Sequence, residues 1–347
     1  MFEAVIMACL AAEPSLCRAV LVPGYEAQSL AQCEAELNNR PPKPSLPADL
    51  QGGAITCQAT GPVAAVDEVS PGVFAHRAQI SDAGPANGGD VGNAGFVIGE
   101  TSVAMIDSGG AAQVGEALYR AVRAETDLPI SHVILTHMHP DHALGASVFV
   151  AAGAEVVGHI ALERALTDRA QTYLDNFGRL IGQPAFIGTT VVLPDVMVDG
   201  TLTLDLGKRP LELRAWPNAH TGADLTVGDS TTGTLFTGDL MFHIHTPALD
   251  GSVLGWQKVL NQMQTLEGYT RIIPGHGGPV LDWPSGADAL EDYLDVLVDQ
   301  TRQAISRGDS LAEAVETVGA SEAANWELFE LFNPRNATVA YTELEWE

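Results

Sequence analysis

The sequence predicts an α/β fold in which two sheets pack face to face with helices outside, an αββα sandwich, preceded by a small cysteine-containing module. Three observations predict it. Beyond Val63, strand-like and helix-like segments alternate in two strand-rich blocks, each joined to helices. The hydrophobic fraction, 46% of 347 residues, suits a well-buried core. All four cysteines fall in the first 57 residues, as a separately stapled segment would have them. The expected division is a module with a proline-rich linker over residues 1–60 and a larger domain over 61–347.

The module comes first. Cys9, Cys17, Cys33 and Cys57 allow three disulfide pairings. Their wide spacing lacks the close cysteine pair of a structural zinc site, and four reduced, buried thiols are the remaining reading. Two disulfides in an oxidising compartment such as the bacterial periplasm are the favoured expectation, because so short a segment buries little core of its own. Met1–Leu10 is apolar, but Glu3 interrupts it and no Lys or Arg precedes it, so as written it is a poor signal peptide. The stretch Arg40-Pro41-Pro42-Lys43-Pro44-Ser45-Leu46-Pro47 favours extended polyproline II, either as a linker or as an arm lying on a surface.

Strands are predicted at 73–76, 95–98 and 103–106, with a helix over 112–124 whose apolar residues recur at Val114, Leu118, Ala121 and Val122. A strand over 131–136 follows Pro129, then a helix from His142 to about Ala152, a strand at 155–157 and a helix over 162–180. Short strands are predicted at 190–193, 201–206, 211–216, 224–227 and 234–237. A helix over 253–266, a strand at 271–273 and acidic-faced helices from Ser285 and again from Leu311 complete the chain.

The chemistry is concentrated in Thr136-His137-Met138-His139-Pro140-Asp141-His142, directly after the apolar run Val133-Ile134-Leu135. Three imidazoles and a carboxylate in six positions suit Zn²⁺ or a similar divalent ion. A plain turn would use Gly, Asn or Pro instead. Further candidates are His220 in Ala219-His220-Thr221-Gly222-Ala223-Asp224, Asp239 in Phe236-Thr237-Gly238-Asp239, and His276 in Pro274-Gly275-His276-Gly277-Gly278. Each lies at a strand-to-loop junction beside a glycine, where a ligand can project from a rigid strand. Two divalent ions roughly 3.5–4 Å apart activate water and polarise a substrate oxygen together.

In this order the segments resemble the metallo-β-lactamase superfamily, from about Val63 to Pro279. The resemblance implies a dinuclear zinc hydrolase, with iron or manganese as alternatives. It implies His137, His139 and His220 on the first metal, and Asp141, His142 and His276 on the second. Asp239 would bridge them, Asp141 would also orient the nucleophile, and Asp107 would steady the metal loop without touching metal. Within the superfamily, Ala219–Leu225, Phe236–Leu240 and the opening Met7-Ala8-Cys9, Cys17 and Cys33-Glu34 are similar to the quinoprotein relay system zinc metallohydrolases. That implies a periplasmic protein linked to pyrroloquinoline-quinone-dependent alcohol oxidation, with a quinoprotein dehydrogenase or cytochrome as partner.

His243 and His245 follow Asp239 and alternate as if on one strand face; they either line the cleft as catalytic groups or are hydrogen-bonded loop residues. His159 reads as a helix-start or packing residue, and His76 and His132 as structural. Asn93 either contacts substrate or makes a turn, and the Gly- and Pro-rich loop 81–92 is either a lid or a surface turn. A net charge of −27 argues against nucleic-acid substrates, and no apolar run is long enough to span a membrane. A small-molecule substrate is the expectation. β-Lactam hydrolysis, a glyoxalase II-like thioesterase activity and a non-catalytic partner-binding role are the alternatives.

Overall fold

The computed structural model describes residues 1–43, 46–278 and 280–347. The apolar run after Met1 forms β1 (Phe2–Leu10), the centre strand of an antiparallel sheet ordered β2-β1-β3, with β2 at Cys17–Ala27. Helix α1 (Leu30–Asn39) starts at Ser29, whose side chain accepts the Gln32 amide at 3.2 Å, and leads back to β3 (Leu50–Ala59). The four cysteines form two disulfides. Cys9–Cys17 ties two residues directly opposite in the β1–β2 ladder, and Cys33–Cys57 ties α1 to β3 over a core of Ala4, Ile6, Val22 and Tyr25. Pro44 and Ser45 of the proline-rich stretch lie outside the described residues. The residues flanking them connect α1 to β3, so the stretch belongs inside the module and does not join it to the larger domain.

The first large sheet starts at β4 (Asp67–Ser70), which with β5 (Val73–His76), β6 (Ala94–Ile98) and β7 (Val103–Ile106) makes a run of antiparallel neighbours. Helix α2 (Ala112–Glu125) crosses to β8 (Ile130–Leu135), which runs parallel to β7. Helices α3 (Pro140–Ala143) and α4 (Ser147–Ala151) lead to β9 (Glu155–His159), and α5 (Leu162–Ile181) leads to β10 (Val196–Val198), both added in parallel. The second sheet begins with β11 (Thr201–Asp205), β12 (Pro210–Ala215), β13 (Leu225–Asp229) and β14 (Thr234–Phe242), all antiparallel. Helix α6 (Val253–Met263) crosses to β15 (Arg271–His276), parallel to β14, and β16 (Leu281–Asp282) closes the edge. Helices α7 (Asp288–Arg307), α8 (Leu311–Thr317) and α9 (Phe329–Leu344) end the chain.

The period-2 alternation of strand side chains sorts these elements into layers. Ala104, Ile106 and Ile134 of the first sheet meet Leu211, Leu213, Val227 and Phe236 of the second in one apolar cluster. The intervening residues Val103, Met105, Val133 and Leu135 face α2, α4 and α5. Leu235 faces the opposite way, towards α6, α7 and α9. The layers are therefore helix, sheet, sheet, helix, as the sequence predicts.

Two predicted elements differ. Thr190–Leu193 is not a strand: Val191 and Val192 pack on the helical side of the first sheet, and the open edge of β9 is taken by Val196–Val198. The helix predicted over 142–152 is two short ones, broken at Gly145. There the chain passes so close to the Ser108 carbonyl and to Gly115 of α2 that a side chain has no room.

The N-terminal sheet docks on α2 through buried charges. Arg120 donates to both carboxylate oxygens of Glu3, at 2.7 and 2.9 Å, and to the Pro62 carbonyl. Arg18 from β2 holds Glu116, one helical turn away, through Nη1 alone, which lies 2.8 and 2.9 Å from the two carboxylate oxygens. No helix among the described residues is long and apolar enough to cross a membrane.

Candidate metal centre

The site lies where two parallel strand pairs end together: β7 and β8 of one sheet, β14 and β15 of the other. Thr136, His137 and His139 follow β8, with Asp141 and His142 in α3. His220 comes from the turn between β12 and β13, Asp239 from within β14 and His276 from the end of β15. The structure gathers all seven. Ligand atoms of His137, His139, His220 and Asp239 form one group, and those of Asp141, His142 and His276 a second, each within 4.8 Å of one another. Asp239 touches both: Oδ2 lies 3.4 Å from His220 Nε2 and 3.3 Å from His276 Nε2, and Oδ1 lies 3.2 Å from His142 Nε2. Gly275 of β15 makes this possible, since any β-carbon there would collide with Asp239 Oδ1.

Four of the imidazoles are fixed by one nitrogen and present the other to the centre. Asp107 organises two of them. Its carboxylate accepts from the Thr136 amide and hydroxyl, both at 2.8 Å, and from His142 Nδ1 at 2.9 Å. The Thr136 oxygen in turn accepts from His137 Nδ1 at 3.0 Å. His220 Nδ1 donates to the Ala248 carbonyl at 2.5 Å, and His139 Nε2 to Asp250 at 3.3 Å. The inward nitrogens then crowd one another: His139 Nδ1 sits 3.0 Å from His220 Nε2, and His142 Nε2 sits 3.3 Å from His276 Nε2. His137 Nε2 and Asp239 Oδ1 are buried with no hydrogen-bond partner among the described residues. Buried lone pairs aimed at each other are costly unless a cation lies between them. The donor set therefore fits divalent metal, with imidazole and carboxylate ligands of the kind zinc takes.

The electrostatics agree. Burial drives the pKa of His220 down to about 3 and that of His137 well below the usual imidazole range, so both are neutral, the form that binds metal. For His142 burial opposes charge, but Asp239, Asp141 and Asp107 outweigh it and hold its pKa well above the usual value. Asp239 also resists burial: the surrounding histidines, His276 foremost, keep its carboxyl well below the usual range. The centre thus favours positive charge in its middle.

His243 and His245 part company. The alternation expected of one strand face stops at Phe242, because Ile244 adopts a left-handed conformation (φ 69°). His245 turns onto His276, with ring centroids 4.7 Å apart, and lines the cavity above the centre. Its Nδ1 donates to the Thr246 carbonyl at 2.6 Å, and burial lowers its pKa to about 4. His243 does not line that cavity; its Nδ1 accepts the Gly278 amide at 3.2 Å.

Asn93 is an anchor. It accepts the Ala78 amide and donates to the Pro274 carbonyl, tying its loop to the strand that carries His276. Ser81, Asp82, Ala83 and Val91 of the Gly-rich loop line the cavity wall. His76 bonds Asp90 and the Ala65 carbonyl, His132 pairs with Ser131, and His159 Nδ1 accepts the Ala161 amide just before α5. Two further carboxylates act on the histidines of the centre. Asp250 orients His139, and Asp224 accepts the Thr221 amide and hydroxyl to shape the turn carrying His220. Burial raises the pKa of Asp224 to about 7.

The chain belongs to the metallo-β-lactamase superfamily, whose family model matches residues 87–276. Over 149 residues it is 24% identical to a linear primary-alkylsulfatase from Pseudomonas sp. (strain ATCC 19151). That stretch covers 42% of this chain but only 27% of the alkylsulfatase. Among solved structures, a stereoselective inverting sec-alkylsulfatase from Pseudomonas sp. superimposes with a TM-score of 0.63 at 17% identity, covering 81% of this chain and 50% of that one. A metallo-β-lactamase from Pontibacter korlensis gives 0.54 at 19% identity, covering 67% of this chain and 98% of the other. At such identities the structural likeness is one of fold.

Proposed function

We propose that this protein is a dinuclear zinc-dependent hydrolase of a small molecule, exported to the periplasm. One observation carries the reading: the carboxylate of Asp239 reaches two separate histidine groups at once, while Asp239 Oδ1 and His137 Nε2 lack a hydrogen-bond partner among the described residues. His137, His139 and His220 would hold one ion and Asp141, His142 and His276 the other, with Asp239 between them. Bound there, two divalent ions would supply an acidic water and a Lewis acid for the scissile oxygen. The chain's own groups do the rest. Asp141 lines the cavity and can accept a proton from the attacking water. His245, neutral and donating through Nδ1, leaves Nε2 to accept a hydrogen bond from the reactants. Phe242, stacked on the His276 ring with centroids 5.0 Å apart, keeps bulk water from that side.

The two disulfides suit an oxidising compartment, which supports the periplasmic assignment. The link to quinoprotein alcohol oxidation, through a dehydrogenase or cytochrome partner, rests on the cysteine pattern and on the segments around His220 and Asp239. The alkylsulfatase relative adds sulfate esters to the ester, thioester, lactam, lactone and phosphoester classes worth screening. Metal analysis of the purified full chain is the direct test. Two equivalents of transition metal are expected, together with loss of turnover in His137→Ala and His276→Ala. Protein that retains no transition metal after dialysis at neutral pH overturns the proposal.

A further inference from the structure

We infer that the cavity above the metal centre is built for an amphiphilic anion: an apolar body held between two helices, with its anionic group paired to Arg335 and Arg179. This rests on the hydrolase reading and names the substrate class of that site. The cavity measures about 800 Å³, at the upper end of small-molecule sites, and the His/Asp cluster forms only part of its wall. Two helix faces form much of the rest. From α5 come Tyr173, Phe177 and Leu180; from α9 come Phe332, Arg335 and Val339. Within each helix these positions follow the spacing of a single face, so the cavity is clamped between two rigid surfaces. The α9 face lies beyond residues 87–276, the part that the superfamily model matches.

The chemistry of the walls is divided. Tyr173, Phe177, Leu180, Phe332 and Val339 offer apolar surface to the cavity. Arg335 stacks over Phe332 at 5.7 Å and has no carboxylate partner among the described residues. Arg179 donates to the Asp175 carbonyl and the Asn176 side chain, neither of which neutralises it. In a chain with 44 acidic and 17 basic residues, each of these two cavity arginines is left without a carboxylate partner among the described residues and can take an incoming anion. None of the cavity's own carboxylates pairs with either arginine among the described residues. Asp141 and Asp239 belong to the cluster, Asp250 is shared by His139 and Arg169, and Asp82 accepts the Ala83 amide.

Contacts run without a break from the charge to the chemistry. Arg335 lies on Phe332, Phe332 meets the His245 ring at 4.8 Å, and His245 meets His276 at 4.7 Å. An apolar chain lying along Phe332 would place one end at the metal centre and the other beneath the guanidinium. The anion that pairs with it is a carboxylate, sulfate or phosphate, each able to take two parallel hydrogen bonds.

Calorimetric titration of the purified full chain with decane-1-sulfonate, which carries no ester to hydrolyse, tests this. Saturable binding at one site is expected, about tenfold weaker in an Arg179→Gln/Arg335→Gln variant and weaker again with Phe332→Ala. Decyltrimethylammonium, of equal chain length and opposite charge, is expected to bind more weakly than the sulfonate, as is methanesulfonate, which lacks the apolar body. Unchanged affinity in the double arginine variant overturns the inference. So does tighter binding of the ammonium, or equal binding of methanesulfonate. Metal analysis of the same parent protein separates the two proposals. Arginine-dependent sulfonate binding by parent protein that retains no transition metal would leave the cavity assignment standing and remove the hydrolase reading.

Discussion

Replacing Asp107 by Asn probes how the centre is held together, because this one carboxylate serves three donors: the Thr136 amide, the Thr136 hydroxyl and His142 Nδ1, at 2.8, 2.8 and 2.9 Å. Asn keeps the shape and tolerates the left-handed backbone seen there (φ 57°), whereas Ala would add conformational strain of its own. One amide oxygen can still serve the Thr136 amide. The new NH₂ then faces the hydroxyl and His142 Nδ1, and at least one buried donor loses its acceptor. A hydrogen bond to a charged group contributes about 1.5–3 kcal/mol, and an orphaned buried donor costs about 1–3 kcal/mol. The variant should therefore lose about 2–4 kcal/mol of stability in urea titrations run with chelator present. Metal affinity should fall about 10–100-fold, as for other carboxylates that orient a ligating imidazole. The loss should fall chiefly on the group of Asp141, His142 and His276, measured by chelator competition. A variant as stable as the parent that still binds two equivalents with unchanged affinity would refute this account of Asp107.

Three further outcomes are expected from the geometry. Arg120→Met leaves Glu3 buried and unpaired, which should cost about 3–5 kcal/mol in urea unfolding; the double change Glu3→Leu/Arg120→Met should recover much of it, and equal stability of single and double variants would contradict the buried-pair argument. Opening Cys33–Cys57 by a double change to Ser frees a loop with a sequence separation of 24, and in the chain-entropy model lowers stability by about 3 kcal/mol; an unchanged unfolding midpoint would oppose it. Burial opposes charge on His76, but Asp90 and the Ala65 carbonyl outweigh it and raise its pKa above 6.5. Its stabilising contribution is therefore complete below pH 6.5 and is lost as pH rises through the raised value. The stability gap between parent and His76→Gln should narrow towards alkaline pH, and a gap independent of pH would exclude His76 as its source.

The centre was legible in the sequence because each of its pieces is local. His137 to His142 lie within six positions, Asp239 lies within β14 beside Gly238, and His276 ends β15 between Gly275 and Gly277, where close backbone approach leaves a chemical trace; His220 lies in the turn after β12, two residues before Gly222. The sheets were legible for a similar reason, since the continuous apolar runs Val103–Ile106 and Val133–Leu135 encode strands buried on both faces. What failed depended on partners elsewhere. Val191 and Val192 have strand-like side chains but no free edge to join. His243 and His245 suggest one face because nothing local announces a left-handed isoleucine between them. Asp250 lies 111 residues from His139, in a stretch with no motif, and only the folded chain brings them together.

The C-terminal helices explain why a part of the chain outside the superfamily match should matter to chemistry inside it. The loop after β14 carries His245, the Ala248 carbonyl that fixes His220, and Asp250, which fixes His139. That loop is held from the C-terminal side. Glu327 accepts the Thr246 amide at 3.0 Å and donates its own amide to Ile244 at 2.7 Å. Asn336 of α9 takes the Leu249 amide at 3.0 Å and gives its side-chain amide to the Pro247 carbonyl at 2.6 Å. Glu343, two turns further along α9, caps α6 through Ser252 and Val253. Asn336 is flanked by Arg335 and belongs to the same helix face as Phe332 and Val339, so one helix both shapes the substrate wall and sets the loop that aims two of the centre's histidines. A change in α9 that moves the wall must also move His220 and His139. On the proposed function, substrate range and metal affinity are coupled through α9: substitutions at Asn336 should alter both, whereas those at exposed Arg335 should alter only the first.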